Sequence, residues 1–128
     1  MPELPVILVV EDEEPLQGIV QDALKDGGFD LVTTASAEQA LALFNSGVVK
    51  YAALVTDINL VSGMTGWDLA REVRETDRSF PVVYMTGAAA DQWGSQGVPN
   101  SILLQKPFAP AQLVTAISRL LNAGSSSV

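Results

Sequence analysis

The stretch LPVILVVEDEEP, residues 4–15, joins an apolar run directly to four consecutive acids. The run at residues 6–10 is apolar throughout instead of alternating with polar residues, which predicts a strand buried on both faces. Such strands belong to parallel sheets that helices cover on both sides. Acids crowded at the end of such a strand repel one another, so something must balance their charge.

The rest of the chain repeats this unit of strand and helix. Short apolar or β-branched runs predict four more strands, at residues 29–34, 52–56, 81–85 and 102–104. Apolar residues recur at helical spacing between them. Five strands that alternate with helices predict an α/β fold with a parallel sheet.

Several local signals place the helices. Ser36, followed three residues later by Gln39, is typical of a capped helix start, and Pro110 predicts the first residue of the last helix. Two glycines and a proline interrupt residues 88–99, so that segment predicts only a short, irregular helix. Trp67 and Phe44 are expected in the core and not in a ligand site.

Length and composition narrow the class of protein. The 128 residues are enough for one domain, and no apolar run reaches the roughly 18 residues that span a bilayer. No secretory signal is visible, so a cytoplasmic, soluble protein is expected. The chain has no Cys or His, which excludes disulfides, thiolate nucleophiles and Cys/His zinc sites. A net charge of -8 argues against nucleic-acid binding and favours proteins or cations as partners.

Charged and hydroxyl side chains that could bind a ligand or react follow the ends of four predicted strands. Glu11 and Asp12 follow the first strand, and Asp57 follows the third. Thr86 follows the fourth strand and Lys106 the fifth. Because the carboxyl ends of parallel strands share one edge of a sheet, these five residues are expected at one rim.

A cation shared among the three acids would make their proximity tolerable. Carboxylate oxygens favour a hard ion, so Glu11, Asp12 and Asp57 predict a Mg²⁺ site. A neutralised acid cluster can also hold a phosphoryl group, which needs an ammonium and a hydroxyl donor such as Lys106 and Thr86. Asp57 is then the expected nucleophile.

These residues, in this order, resemble the receiver domain of two-component response regulators and are similar to its single-domain chemotaxis type. The resemblance covers nearly the whole chain, and four segments carry it: VVEDEE (9–14), LVTDINL (54–60), VVYMTG (82–87) and LLQKPF (103–108). It implies a flavodoxin-like, doubly wound sheet with strand order 2-1-3-4-5 and helices on both faces.

The resemblance also implies a mechanism. A histidine kinase or histidine phosphotransfer protein would donate a phosphoryl group from phosphohistidine to Asp57, with Mg²⁺ balancing the charge. The backbone carbonyl of Asn59 would complete the metal ligands, Lys106 would pair with a phosphoryl oxygen, and Thr86 would hydrogen-bond the phosphoryl group. The domain would dephosphorylate itself rather than act as a turnover enzyme, and an unknown downstream protein would read its state.

Some positions depart from the family pattern. Val61 stands where a proline is usual, and the loop from the acceptor to Gly66 is one residue longer, as in receivers of hybrid kinases. Leu103 replaces the usual switch aromatic, so output is expected to use another route. The short fourth helix predicts a monomer or weak dimer rather than the standard dimer.

Other functions are open to a chain of this architecture. A degenerate receiver that only docks proteins is the main alternative. A phosphatase-like hydrolase would need a second Asp two residues after the nucleophile, where this chain has Asn59. A flavin carrier would need a phosphate-binding loop in place of the acids at residues 11–14.

The expected domain is 1–122, followed by a flexible tail at 123–128, and the chain is expected to act without an attached output domain.

Overall fold

The computed structural model describes residues 3–61 and 63–125. The strands are β1 (Val6–Val10), β2 (Asp30–Thr34), β3 (Ala53–Asp57), β4 (Val82–Thr86) and β5 (Ile102–Gln105). The helices are α1 (Glu14–Asp26), α2 (Ala37–Ser46), α3 (Gly66–Thr76), α4 (Trp93–Gln96) and α5 (Pro110–Ser125). A 3-10 helix, Ala90–Gln92, directly precedes α4.

All strand pairs are parallel, and the sheet order is β2-β1-β3-β4-β5. This confirms the predicted α/β class and the strand order that the family resemblance implied. The chain reverses its direction of winding after β2, which leaves the carboxyl ends of β1 and β3 side by side at the switch point. In open sheets of this kind, that crevice is where ligands bind.

Alternate residues of the sheet face two separate cores. Leu8 and Val10 point to the side covered by α2 and α3, and Ile7 and Val9 point to the side covered by α1 and α5. All four are fully buried. The uninterrupted apolar run in β1 is therefore explained by helices on both faces.

The sequence predicted one of the two helix caps described below and missed the other. The Ser36 hydroxyl accepts a hydrogen bond from the Gln39 N–H at 3.1 Å, as predicted. A full capping box, which the sequence analysis missed, begins α3: Thr65 Oγ1 accepts from Asp68 N, and Asp68 Oδ2 accepts from Thr65 N, both at 3.1 Å. These reciprocal bonds define where the loop after β3 ends and the helix begins.

Some predicted bounds need correction. The strands β3, β4 and β5 each continue one residue further than predicted, so Asp57 and Thr86 are the last residues of their strands. Helix α5 continues through Ser125, into the segment 123–128 that was predicted as a flexible tail. Leu113, Ala116 and Ile117 of this helix are buried in the core that it forms with the sheet. Residues 126–128 lie outside the described residues.

The segment after β4 is short and irregular, as predicted. Two arginines of α3 attach it to the rest of the molecule: Arg71 Nη2 donates to the Gln96 carbonyl at 3.1 Å, and Arg74 Nη1 donates to the Pro99 carbonyl at 2.7 Å. Among the described residues, none of the helices has the length and apolar character to cross a membrane.

Candidate functional site

Three acids meet at the carboxyl ends of β1 and β3. Glu11 directly follows β1 and is fully buried, while Asp12 is partly exposed. Asp57 is the last residue of β3 and is 5 % exposed. One carboxylate oxygen from each of the three lies within 4.8 Å of the others. Since these ligands are all hard oxygen atoms, this donor set fits a small divalent cation such as Mg²⁺.

Lys106 supplies the positive charge of the site. It follows β5, and its backbone N–H donates to the Thr86 carbonyl at 2.7 Å, which continues the pairing of β4 and β5. The ammonium nitrogen lies 3.2 Å from Glu11 Oε1 and 3.3 Å from Asp57 Oδ2. One ammonium therefore bridges two buried carboxylates and leaves the cluster with an excess of negative charge.

The environment shifts the pKa values of Asp57, Glu11 and Lys106. Burial raises the pKa of Asp57, and the nearby Lys106 only partly offsets this effect. Burial also raises the pKa of Glu11, against the lowering effect of the Glu13 backbone N–H and of Lys106. Burial alone would lower the pKa of Lys106, but the two carboxylates outweigh it and raise that pKa. The acids thus resist ionisation, and Lys106 holds its proton.

Thr86 lies at the same rim, at the end of β4. Its side chain is fully buried, and Oγ1 accepts hydrogen bonds from the backbone N–H groups of Ala88 at 3.2 Å and Ala89 at 2.8 Å. These bonds orient the hydroxyl oxygen and leave its proton available for an acceptor. Because the donors belong to the loop that leads into α4, a movement of Thr86 would change that loop.

Asn59 lies two residues beyond Asp57 in the loop between β3 and α3, and it is exposed. The same loop contacts the acid cluster through its backbone, because the Val61 N–H donates to Asp12 Oδ2 at 3.1 Å. The structure thus brings Glu11, Asp12, Asp57 and Lys106 into one cluster, with Thr86 and the Asn59 loop at its border.

Sequence reasoning assigned no structural role to Gly66, the first residue of α3. A Cβ there would overlap the Asp57 carbonyl oxygen and lie 2.9 Å from Ile58 Cα. The Gly66 N–H donates to the Ile58 carbonyl at 2.9 Å, so α3 begins directly against the backbone of Asp57 and Ile58. The sequence signal was the segment Thr65-Gly66-Trp67-Asp68, in which a capping residue precedes a glycine.

The usual switch-aromatic position is occupied by Leu103, which is paired in register with Tyr84 of β4. Tyr84 is fully buried, its ring centroid lies 4.7 Å from that of Trp67, and its hydroxyl accepts from the Val98 N–H at 3.0 Å. An aromatic side chain therefore lies beside the expected position, on the neighbouring strand. Trp67 is in the core, as predicted.

Comparisons with known proteins agree with this geometry. A family model described as the response regulator receiver domain matches residues 7–118. A solved response regulator receiver protein from Sinorhizobium medicae is 43 % identical with a TM-score of 0.91, covering 94 % of this chain and 97 % of that one. A solved sensor protein from Polaromonas sp. is 29 % identical with a TM-score of 0.83, covering 93 % of this chain and 97 % of that one.

Among curated proteins, the response regulator SaeR of Staphylococcus aureus (strain USA300) is 26 % identical over 118 residues, which is 91 % of this chain and 50 % of SaeR. The chain thus spans about half the length of the curated relatives it matches. The family model covers most of the chain, and the Sinorhizobium medicae structure shares its fold over 94 % of this chain. This chain therefore belongs to the response regulator receiver domain family.

Proposed function

We propose that this receiver domain accepts a phosphoryl group on Asp57 from the phosphohistidine of a histidine kinase or histidine phosphotransfer protein. The observation that carries the proposal is the position of Lys106, whose ammonium lies 3.2 Å from Glu11 and 3.3 Å from Asp57 beside the three-acid cluster. This is the combination of anion, cation ligands and fixed positive charge that phosphoryl transfer requires.

In the transfer step, a carboxylate oxygen of Asp57 attacks phosphorus, a P–O bond forms, and the P–N bond to the donor imidazole breaks. The imidazole leaves with the electron pair and takes up a proton. Lys106 pairs with a phosphoryl oxygen, and the Thr86 hydroxyl donates its proton to another. Attack by water on phosphorus later returns the Asp57 carboxylate and inorganic phosphate, so the domain resets itself and is a signalling domain rather than a turnover enzyme.

The proposed metal is Mg²⁺, held by Glu11, Asp12, Asp57 and the backbone carbonyl of Asn59. Bound there, the ion would neutralise charge on the acids and on the incoming phosphoryl group. The oxygen-only donor set and the excess negative charge around Lys106 support this assignment.

The proposed partners, cellular location and oligomeric state are those that family membership supports. The partners are a kinase or phosphotransfer protein and an unknown downstream protein, without nucleic acid or membrane, and the domain acts as a cytoplasmic monomer or weak dimer. We place the functional domain at residues 1–122.

Intact-mass measurement tests the proposal directly. The purified chain is incubated with acetyl phosphate and Mg²⁺, in parallel with Asp57→Asn and with a chelator. We expect one phosphoryl adduct on the wild type and none in the other two samples. A known receiver, treated in the same way, is the positive control for labelling.

The absence of an adduct while the control receiver is labelled would overturn the proposal and favour a receiver that docks proteins without phosphorylation. An adduct that persists in Asp57→Asn would place the acceptor elsewhere.

A further inference from the structure

The loop between β3 and α3 is attached to two other parts of the molecule by side-chain acceptors. Asp12 Oδ2 accepts from the Val61 N–H at 3.1 Å, and Glu38 Oε2 accepts from the Met64 N–H at 2.8 Å. Asp12 belongs to the acid cluster, whereas Glu38 lies in the first turn of α2, outside that cluster. The loop is thus held between the candidate metal site and a second helix.

The chain makes room for the Glu38 contact. Gly63 has a φ of 71°, a conformation that favours glycine, and a Cβ at this position would collide with the Glu38 carboxylate. A side chain at residue 63 would therefore displace the carboxylate from the Met64 N–H. The hydrogen bond between Glu38 and Met64 therefore depends both on the acid in α2 and on the absence of a side chain at Gly63.

The contact favours the ionised form of Glu38. The Met64 N–H, followed by the backbone N–H of Glu38 itself, lowers the pKa of the carboxyl group. Hydrogen bonds from an N–H to a carboxylate are stronger than those between neutral groups. The side chain is exposed, so the bond contributes little to the core and acts mainly on the loop that it contacts.

The position of this loop affects the candidate metal site in two ways. It carries Asn59, whose carbonyl is a proposed ligand, and it directs the Val61 N–H at the Asp12 carboxylate. Groups that hydrogen-bond a ligand determine its orientation and affinity for metal. A loop that shifts at Met64 would change both contributions together.

We infer that Glu38 is a positioning residue for the metal site, acting through the Met64 N–H on the loop that presents Asn59 and orients Asp12. This inference rests on the proposed Mg²⁺ and phosphoryl site. It assigns a role to an exposed α2 residue that would otherwise serve only as a favourable acid in a first helical turn.

The test compares Glu38→Ala, Glu38→Gln and the wild type. Mg²⁺ affinity is measured by calorimetric titration of unphosphorylated protein. For Glu38→Ala we expect affinity to fall about 3- to 10-fold, less than the roughly 10- to 100-fold loss typical of a group that hydrogen-bonds a ligand directly. Glu38→Gln retains an oxygen acceptor for Met64 and should recover most of the affinity.

Phosphorylation by acetyl phosphate provides a second readout. Glu38→Ala should need more Mg²⁺ for half-maximal rate but reach the wild-type rate when Mg²⁺ is saturating. The matched control is Glu72→Ala, which removes one negative charge from an exposed α3 residue whose carboxylate makes no hydrogen bond or ion pair with another described residue.

Three results would overturn the inference. The first is Mg²⁺ affinity that is unchanged in Glu38→Ala, and the second is a loss of equal size in Glu72→Ala, which would reflect charge alone. An equal loss in Glu38→Gln and Glu38→Ala would likewise assign the effect to charge and contradict a role through the hydrogen bond. Failure of the wild type to bind Mg²⁺ or accept phosphate would instead refute the proposed function on which the inference rests.

Discussion

Glu11 and Asp57 are buried carboxylates that share a single ammonium. Lys106 lies within 3.3 Å of both, yet the pKa of each acid is raised, because burial outweighs the attraction of the lysine. Their ionised forms are therefore less stable in the fold than in the unfolded chain. Ionisation of these buried acids destabilises the folded state, and a bound cation would reduce this effect. Cation binding and the stability of the fold are therefore linked.

Replacement of Asp57 by Asn should stabilise the metal-free protein at neutral pH. We expect the free energy of unfolding to rise by on the order of 1 kcal/mol, because the variant removes a buried charge whose raised pKa opposes ionisation. Denaturant unfolding in the presence of a chelator measures the change.

The same comparison has a defined pH dependence. An acid with a raised pKa leaves stability intact below its ordinary pKa and lowers it as pH rises through the raised value. The difference in the free energy of unfolding between Asp57→Asn and the wild type should thus vanish in acid. It should grow as pH rises above the ordinary pKa of a carboxyl group. If the variant is less stable at neutral pH, the Lys106 ion pair outweighs burial and the assigned sign is wrong.

At the level of elements, the start of α3 and the end of β3 are in direct backbone contact. The complete capping box at Thr65 and Asp68 begins the helix, and Gly66 lets its first turn approach the Asp57 carbonyl. Strand, loop and helix therefore position Asp57 as one unit. Arg71 and Arg74 of α3 also attach the segment around α4, so α3 contacts both the loop after Asp57 and the α4 segment.

Gly66→Ala should destabilise the domain and reduce phosphorylation. The added methyl group meets backbone atoms of Asp57 and Ile58, which cannot move aside as a flexible side chain can. We expect a loss of about 1–3 kcal/mol in the free energy of unfolding. Denaturant unfolding measures this loss, and intact mass after acetyl phosphate treatment measures labelling.

Gly18→Ala is the matched control, because an added Cβ there has no neighbour within 4 Å. Gly18 lies inside α1, so alanine should instead stabilise the protein by about 0.5–1 kcal/mol. Equal effects of the two substitutions would show that helix propensity, and not the close approach to Asp57, controls stability at Gly66.

For the whole molecule, charge and stability are coupled through the acid cluster. The chain carries a net charge of -8, and three of its acids converge at one rim of the sheet. A cation bound there stabilises the native state by mass action, whereas general screening acts on all surface charges alike.

Mg²⁺ should therefore raise the stability of the domain in a saturable way. The expected gain is about 2.7 kcal/mol when free Mg²⁺ is 100 times its Kd. Thermal unfolding across a Mg²⁺ series at constant ionic strength measures it. Asp12→Asn should reduce the response, and an identical response in this variant would show that the effect does not come from the predicted site.

Much of the fold and the candidate site was predictable because parallel sheets leave strong local signals. The continuous apolar runs predicted the strands, and residues just past their ends, such as Asp57 and Lys106, were expected at one rim. The strand order came from the family resemblance, since local patterns do not specify which strands pair. The end of α5 was placed too early because glycine and serine favour a helix stop, although the helix continues through Ser125.

The alternation of strands and helices could be deduced from the residues alone, and so could the set of acids, hydroxyl and lysine at the strand ends. Both follow from the local hydrophobic pattern and the side-chain chemistry of the chain. Which groups meet depends on the packing of the elements, which places Lys106 between Glu11 and Asp57, Glu38 on Met64, and Gly66 against the Asp57 backbone. These contacts join residues from separate elements, and their distances depend on how the sheet and helices pack together.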